Sequence, residues 1–199
     1  MTYRPKATRI LGGAIIAISV IGLIGLLIDD GLAGLLRYGW WVALAGVLAW
    51  ALFWNPRVHV DDAGVRIVNV FRTITLPWPS IKEVDTKWSL TLVTAYGTFA
   101  AWAAPAPGRH ASRNVTEQEI QHLPATSFDA TGSVGPGDNP NSSSGQAALA
   151  VRRRWEALQA AGHLDNPRLE FDRVPVRWHV GLIAAIAVLL VLGAAGLAL

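Results

Sequence analysis

The sequence predicts an α+β membrane protein, in which three transmembrane helices carry a small cytoplasmic domain built on a bent antiparallel sheet. Three observations lead to this prediction. Residues 10–28, 38–54 and 179–199 contain no charged side chain. Residues 56–105 contain short runs of β-branched residues separated by turn residues. A helical pattern follows at 147–162, close enough in sequence to cover one face of the sheet.

The three uncharged stretches are predicted to be transmembrane helices, because about 20 apolar residues span a bilayer core. The middle stretch is the shortest, but its tryptophans lie toward its two ends, where indoles favour the membrane interface. The first stretch could instead be a signal peptide, since Arg4, Lys6 and Arg9 precede it. No small-x-small cleavage site is evident, however, and a second apolar stretch follows closely.

Basic residues beside the apolar stretches predict the orientation. They are concentrated in residues 1–9 and at both ends of the central region, whereas 29–37 contains two aspartates and one arginine. By the positive-inside rule, residues 1–9 form a cytoplasmic basic tail and 29–37 an external loop. The central domain is then cytoplasmic, and Leu199 lies outside a multi-pass plasma membrane protein.

Charge and composition restrict the class of protein. The net charge of +3 and the pI of about 9.7 invite a nucleic-acid function, but basic and acidic residues nearly balance between Arg57 and Arg177. No basic footprint for nucleic acid remains. There is no cysteine, which excludes disulfides and thiolate metal sites. Arginine dominates over lysine, and alanine and glycine are abundant, which indicates a GC-rich bacterial genome.

The first half of the central region predicts a hairpin and a third strand. Val58 to Val60 and Val65 to Val70 are β-branched runs joined by Asp61-Asp62-Ala63-Gly64, a typical tight turn. The aspartates could also hold a cation, although the turn alone accounts for them. Thr73 to Leu76 continues as a third strand and ends at Pro77, which cannot donate a ladder hydrogen bond.

Further strands follow, so that residues 56–105 contain five or six antiparallel strands in all. Ile81 and Val84 suit a bent re-entry into the sheet, and alternation resumes after residue 88. The tryptophans here, Trp78, Trp88 and Trp102, are predicted to fill or cover the core. An exposed aromatic binding patch is the alternative.

The remaining segments are assigned from composition. Residues 106–124 form a connector in which the capping box at Thr116 predicts a short helix. Residues 125–146 are rich in Ser, Gly and Pro without a basic residue, and are predicted to be a disordered linker. The 147–162 helix carries an apolar stripe for packing on the sheet, and 163–178 is a juxtamembrane segment.

No signature of catalysis is present in the sequence. Glycine-rich phosphate loops, His-Glu-x-x-His and Gly-x-Ser-x-Gly are absent. His122, Ser127 and Asp129 could be imagined as a triad, but they border the predicted linker, where catalytic geometry could not be held. We therefore expect no enzyme activity, no cofactor and no metal site.

Arginines are the candidate contact residues for lipid or a protein partner. Arg152 to Arg154 form the best local basic cluster, which is either a solvated helix face or a contact for anionic headgroups or an acidic partner. The full candidate set is Arg57, Arg66, Arg72, Arg152, Arg153 and Arg154.

One motif suggests a family. A hydrophobic strand ends in Leu76-Pro77-Trp78, and Ile81 and Val84 follow three residues apart. This pattern resembles the bacterial PH-domain family named for the actinobacterial low molecular weight protein antigen 6. The resemblance covers about residues 56–105 and extends loosely to the helix at 147–162.

The resemblance implies a PH-like fold, in which a bent antiparallel sheet or partial barrel of up to seven strands is closed at one end by a C-terminal helix. It implies no catalytic activity. PH domains that bind phosphoinositides use basic residues around the first hairpin loop, whereas Asp61 and Asp62 here would repel a phosphate. We therefore predict a non-enzymatic adaptor or scaffold with a protein partner. The alternative is binding or sensing of anionic lipid headgroups.

Overall fold

The computed structural model describes residues 1–107, 123–128, 135–165, 169 and 171–198. They form two compact units. The first comprises residues 1–5, 57–69 and 73–177, and the second comprises 6–56, 70–72 and 178–199. The capping box at Thr116 therefore lies outside the described residues.

Four α-helices and eight strands are present among the described residues. The helices are α1 (Lys6–Asp29), α2 (Gly31–Ala49), α3 (Ser143–Ala160) and α4 (Val180–Gly196), and a π-helical turn, Trp50–Trp54, continues α2. The strands are β1 (Thr2–Tyr3), β2 (Arg57–Val60), β3 (Gly64–Val68), β4 (Arg72–Pro77), β5 (Ile81–Asp85), β6 (Ser89–Thr94), β7 (Gly97–Pro105) and β8 (Val176–Trp178).

The second unit contains two helices that are long and apolar enough to cross a membrane, Ala7–Asp29 and Gly31–Trp54. The prediction of three such helices is wrong in its third member. Helix α4 has 17 residues, which at 1.5 Å per residue give about 25 Å, short of a hydrocarbon core of about 30 Å. The indole N–H of Trp41 in α2 donates to the carbonyl of Gly193 in α4 at 3.2 Å.

The predicted loop at 29–37 is also wrong in extent. Helix α2 begins at Gly31, whose φ of +62° turns the chain directly after Asp30. The apolar residues that follow continue the helix, so the connection is a tight helical hairpin turn. The sequence prediction placed the ends of the loop at its charged residues, Asp29 and Arg37, although Arg37 lies within α2.

The first unit contains two antiparallel sheets in place of the single bent sheet predicted. One has the order β1-β2-β3-β4-β8 and the other the order β5-β6-β7, and neither is closed into a barrel. The chain passes between them through a 3₁₀ turn, Trp78–Ser80. Pro77 and Pro79 lack the N–H that a continuous ladder requires, and the hydroxyl of Ser80 donates to the carbonyl of Pro77 at 2.7 Å.

Strand β1 lies in what the sequence predicted to be a basic tail. Thr2 pairs with His59 and Tyr3 with Val58, so β1 extends the larger sheet beyond β2. Lys6 already begins α1. The tail prediction is therefore wrong, because a two-residue strand carries no periodicity by which it could be recognised.

Helix α3 covers the core of the first unit. Ala147, Ala148 and Val151 are fully buried with the inward residues of both sheets, and Trp155 and Leu158 pack beside them. The helix begins at Ser143, earlier than predicted, because the hydroxyl of Ser142 caps it by accepting the Gly145 N–H at 2.9 Å.

The described part of the predicted disordered linker, 125–146, is packed. A 3₁₀ turn, Pro136–Asp138, precedes α3, and Asn139 and Ser144 are buried. The chain comes so close to β5 that a Cβ at Gly137 would lie 1.9 Å from the carbonyl oxygen of Thr86. The prediction fails here because polar groups that seemed suited to solvent find partners within the protein.

Candidate functional site

A buried ion pair fixes the packed segment to α3. Arg152 is 4% exposed and pairs with the carboxylate of Asp138. The same guanidinium donates to the hydroxyl of Ser127 at 3.2 Å and to the carbonyl of Val84 at 2.8 Å. Arg152 is therefore a structural residue, and the prediction that it contacts lipid or a partner is wrong. Helical periodicity explains this, because Arg152 lies four residues after Ala148 and therefore on the same buried side of α3.

The hairpin turn before β3 is held by its own aspartate. Oδ1 of Asp61 accepts the N–H groups of Ala63 and Gly64 at 3.1 and 3.0 Å. Its carbonyl accepts the indole N–H of Trp78 at 3.0 Å. These bonds explain Asp61 as a turn residue, as expected.

The other two arginines of the predicted cluster are exposed on α3. Arg154 forms an ion pair with Asp62 at 2.6 Å, which reduces the negative charge at the turn. Arg153 and Arg154 line an open groove of 660 Å³ between the turn and α3, together with Val60 and Leu149.

The larger sheet has a basic outward face. Its residues point alternately inward and outward, so that Val58 and Ile67 are buried while Arg57 and Arg66 point outward. His59 lies directly opposite Arg66 in the register. The structure thus brings two of the predicted contact arginines together on one face.

His59 connects the strands on this face. The guanidinium Nε of Arg57 donates to its Nε2 at 3.0 Å, and Nδ1 lies 2.8 Å from the hydroxyl of Thr2. Since arginine can only donate, the imidazole is neutral with its proton on Nδ1. Burial lowers the pKa of His59, and the nearby charges of Arg57, Arg66, Arg4 and the N-terminus lower it further.

Two arginines that were not among the candidates belong to the same face. Arg4 directly follows β1, and its positive charge lowers the pKa of Arg57. The burial of Arg57 is the larger cause of that shift. Arg177 is exposed in β8, where Val176 packs against the core and the next side chain points away. Arg177 could be found from the sequence only as a topology signal, since β8 was not predicted.

Arg72 belongs to the second unit. Its guanidinium lies 5.8 Å from the ring centroid of Trp178, a cation–π distance. The structure therefore does not bring Arg72 together with Arg57 and Arg66 in one unit.

The three tryptophans of residues 56–105 divide into one core residue and two exposed residues. Trp78 is 3% exposed, as predicted, whereas Trp88 is 78% and Trp102 is 56% exposed. Trp102 points outward from β7, between the residues paired with Thr91 and Ser89. Trp88 directly precedes Ser89, so both indoles lie at the same end of the smaller sheet. The expectation of a core role is wrong for these two.

Asn69 joins the free edge of the smaller sheet to the end of β3. Its Oδ1 accepts the N–H of Trp102 at 2.8 Å, and its Nδ2 donates to the carbonyl of Ala100 at 2.9 Å. One side-chain amide thus bonds to two backbone groups of β7. These bonds fix the backbone that carries the exposed indole of Trp102.

The described residues contain no group of His, Asp and Glu side chains that could hold a metal ion. Of the imagined triad, Ser127 accepts a hydrogen bond from Arg152, and His122 and Asp129 lie outside the described residues.

One comparison with known proteins gives a match. The sequence pattern of a family described as "Bacterial PH domain" matches residues 55–157, which include both sheets' hairpins, the exposed tryptophans and most of α3. No curated protein and no solved structure matches the chain.

Proposed function

The chain belongs to the bacterial PH domain family, and from this premise we propose that it is a membrane-anchored, non-enzymatic adaptor for a protein partner. The anchor consists of α1 and α2. The PH domain lies at the cytoplasmic face of a bacterial plasma membrane and presents a partner surface formed by Trp88 and Trp102, here called the tryptophan surface.

The exposure of these two indoles is the observation that carries the proposal. Trp78 is buried in the core of the domain, whereas Trp88 and Trp102 are more exposed than Phe128, Leu169 and Phe171 of the same unit. Two largely exposed indoles at the same end of a sheet are apolar surface that a partner could cover, and tryptophan is enriched among the residues that dominate binding energy. The Asn69 bonds hold the Trp102 backbone in place, so that little ordering would be needed on binding.

The pairing of β1 with β2 supports an anchor that crosses the membrane twice. A ladder between Thr2 and His59 can form only if both strands lie on the same side of a bilayer. Two crossings by α1 and α2 return the chain to the side from which it started. The basic residues of that side favour the cytoplasm. The prediction that the C-terminus lies outside the membrane depended on a third transmembrane helix. Without that helix, the prediction has no support.

Site-specific photo-crosslinking in native membranes tests the adaptor function. A photoreactive phenylalanine analogue is placed at Trp88 or Trp102 of the full chain, and crosslinked proteins are identified by mass spectrometry. Phe128 and Phe171, two exposed aromatic residues of the same unit, provide the matched control positions. We expect one protein to be captured from both tryptophan positions and from neither control position.

The adaptor proposal fails if both tryptophan positions capture only lipid, or the same proteins as the controls. A second variant, Trp88→Ala with Trp102→Ala, checks the result by a different route. It should reduce co-purification of that protein at least ten-fold, because each contact residue of this kind contributes about 2 kcal/mol or more.

Anionic lipid is the second candidate ligand, and the basic face of the larger sheet favours it. The earlier basis for this alternative was the run Arg152 to Arg154. The burial of Arg152 and the ion pair of Arg154 remove most of that basis. Arg57 and Arg66, on the outward face of the larger sheet, remain as candidates for lipid contact.

A further inference from the structure

We propose that a groove between the 3₁₀ turn after β4 and helix α3 binds a compact apolar group that ends in a carboxylate. The groove is here called the Trp155 groove, after the tryptophan of α3 that lines it. This inference goes beyond the proposed adaptor function and does not depend on it, because neither Trp88 nor Trp102 lines the groove.

The Trp155 groove is small and belongs wholly to the first unit. Its volume is 270 Å³, the space of about nine water molecules. This volume suits a single ring or a short chain. Most of the described lining residues are apolar, among them Trp78, Pro79, Ile81, Trp155, Leu164 and Leu169.

The sequence explains how two walls of the groove are formed. Pro77 and Pro79 cannot continue a strand ladder, so the chain turns at Trp78–Ser80 and β5 begins at Ile81. On the opposite wall, Trp155 and Gln159 are four residues apart and therefore lie on one face of α3. The groove thus lies where the end of the larger sheet and the start of the smaller one meet the helix.

The indole N–H of Trp155 is the first polar group available to a ligand. Its nitrogen is buried and has no hydrogen-bond acceptor among the described residues. The indole of Trp78, by contrast, donates to the carbonyl of Asp61 at 3.0 Å. Buried polar groups in native proteins are nearly always bonded. An acceptor atom of a ligand in the groove would give Trp155 the partner that it lacks.

Lys82 is the second polar group and provides the charge. It is exposed where it borders the groove. Within the described part of the chain it forms no ion pair, since the two ion pairs there involve Arg152 and Arg154. No Asp or Glu of that part lines the groove. An ammonium and an indole donor without a nearby carboxylate favour an anionic ligand.

The single positive charge favours a carboxylate over a phosphate. A phosphate carries nearly two negative charges and three acceptor oxygens, and much of that charge would lose water against the apolar walls without a partner. A carboxylate carries one charge, and its two oxygens can accept from Lys82 and from Trp155 together. The apolar walls would then cover the body of the ligand.

The indole N–H resonances of the full chain test the inference in a nitrogen-labelled sample held in mild detergent. Trp155→Phe assigns the Trp155 resonance by its disappearance. Phenylpropionate is then titrated, and phenylpropanol is the uncharged probe with the same ring and chain length. Lys82→Met is compared with Lys87→Met, the same change at an exposed lysine that does not line the groove.

We expect phenylpropionate to shift the Trp155 resonance until the site is saturated, with a dissociation constant on the order of 1 mM for a ligand of this size. The resonances of Trp88 and Trp102 should not move. Lys82→Met should weaken binding about three- to five-fold, the effect of losing an exposed ion pair, and phenylpropanol should bind more weakly by a similar factor. Lys87→Met should leave the affinity unchanged.

A further probe distinguishes the two sources of such a carboxylate. N-Acetylphenylalanine carries the carboxylate of a peptide chain end. If it binds more tightly than phenylpropionate, the groove takes the C-terminus of a protein partner. If phenylpropionate binds more tightly, the ligand is a free acid. Both results support the proposed chemistry.

Three results would overturn the inference. The first is a Trp155 resonance that phenylpropionate does not shift. The second is equal binding of the acid and the alcohol, which would indicate apolar partitioning alone. The third is an equal loss in Lys82→Met and Lys87→Met, which would indicate net charge. Thermal unfolding checks that each variant is folded, and calorimetric titration of the two lysine variants does not require a folded Trp155→Phe chain.

Discussion

Replacing Arg152 by methionine should destabilise the first unit more than any other arginine substitution on α3. Methionine keeps most of the apolar stem but removes the guanidinium. Asp138, which is almost fully buried, then loses its counter-charge, and the Val84 carbonyl and the Ser127 hydroxyl lose a donor.

The size of the effect follows from the burial of the pair. Breaking a buried ion pair by removing one partner costs about 3–5 kcal/mol, because the remaining charge stays out of water. For a unit of this size, each kcal/mol lowers the unfolding temperature by about 3–5 °C. We therefore expect a fall of roughly 10–20 °C for Arg152→Met.

The assay is thermal unfolding of the full chain in mild detergent, followed by near-ultraviolet circular dichroism of the tryptophans. Arg153→Met is the matched control, since Arg153 is the exposed neighbour on the same helix, and it should shift the transition by less than about 2 °C. The double variant Arg152→Met with Asp138→Leu should recover most of the loss, because replacing both charges by apolar groups is often nearly neutral.

The reasoning is refuted if Arg152→Met and Arg153→Met unfold at the same temperature. If the double variant is no more stable than Arg152→Met, the cost lies in packing, and the account of an uncompensated Asp138 charge is wrong.

The other predictions concern the hairpin, the turn after it and the histidine on the sheet. Trp78→Phe removes the indole donor to the hairpin carbonyl and should cost about 1–3 kcal/mol of unfolding free energy in a denaturant titration. Gly64→Ala should cost about 2 kcal/mol or more in the same assay, because its Cβ would lie 2.2 Å from the Leu76 oxygen. His59 binds a proton less readily in the folded chain, because its pKa is lowered there. Its contribution to the free energy of unfolding should therefore be fully present above pH 6.5, the unperturbed value, and should be lost as the pH falls through the lower folded-state pKa.

Each of these changes has a control within the chain. Trp102→Phe should alter stability by less than about 0.5 kcal/mol, as expected for an exposed side chain. Gly135→Ala brings its Cβ no nearer than 3.7 Å to Asp138 and should be well tolerated. His59→Gln should flatten the pH dependence below 6.5, and an unchanged slope in this variant would assign that dependence to another group.

The strands of the PH domain could be predicted closely from the sequence. The predicted strands Val58 to Val60 and Thr73 to Leu76 fall within β2 and β4. The bounds differ by no more than one residue at each end. The reason is physical: alternate burial of β-branched residues repeats along each strand. The two prolines also marked correctly where the third strand ends.

Features that depend on distant partners could not be predicted. β1 owes its existence to a partner more than fifty residues away, and Arg152 acquires its role from a segment whose composition suggested disorder. The tryptophans show a third limit. Trp78 and Trp102 are both amphipathic indoles in strand-rich sequence, and only the direction of each side chain separates a core residue from an exposed one.

The pairing of β1 with β2 also imposes an order on synthesis. Thr2 and His59 are 57 residues apart, and at about 5–20 residues per second the ribosome needs roughly 3–11 s to make that interval. During this time the first strand has no partner, and α1, α2 and the π-helical turn make up most of the chain between the two strands. If α1 and α2 form the proposed anchor, both must cross the membrane before β1 and β2 can meet on one side. In that proposal, a chain in which only one helix has crossed would leave the edge of β2 unpaired and open to another copy.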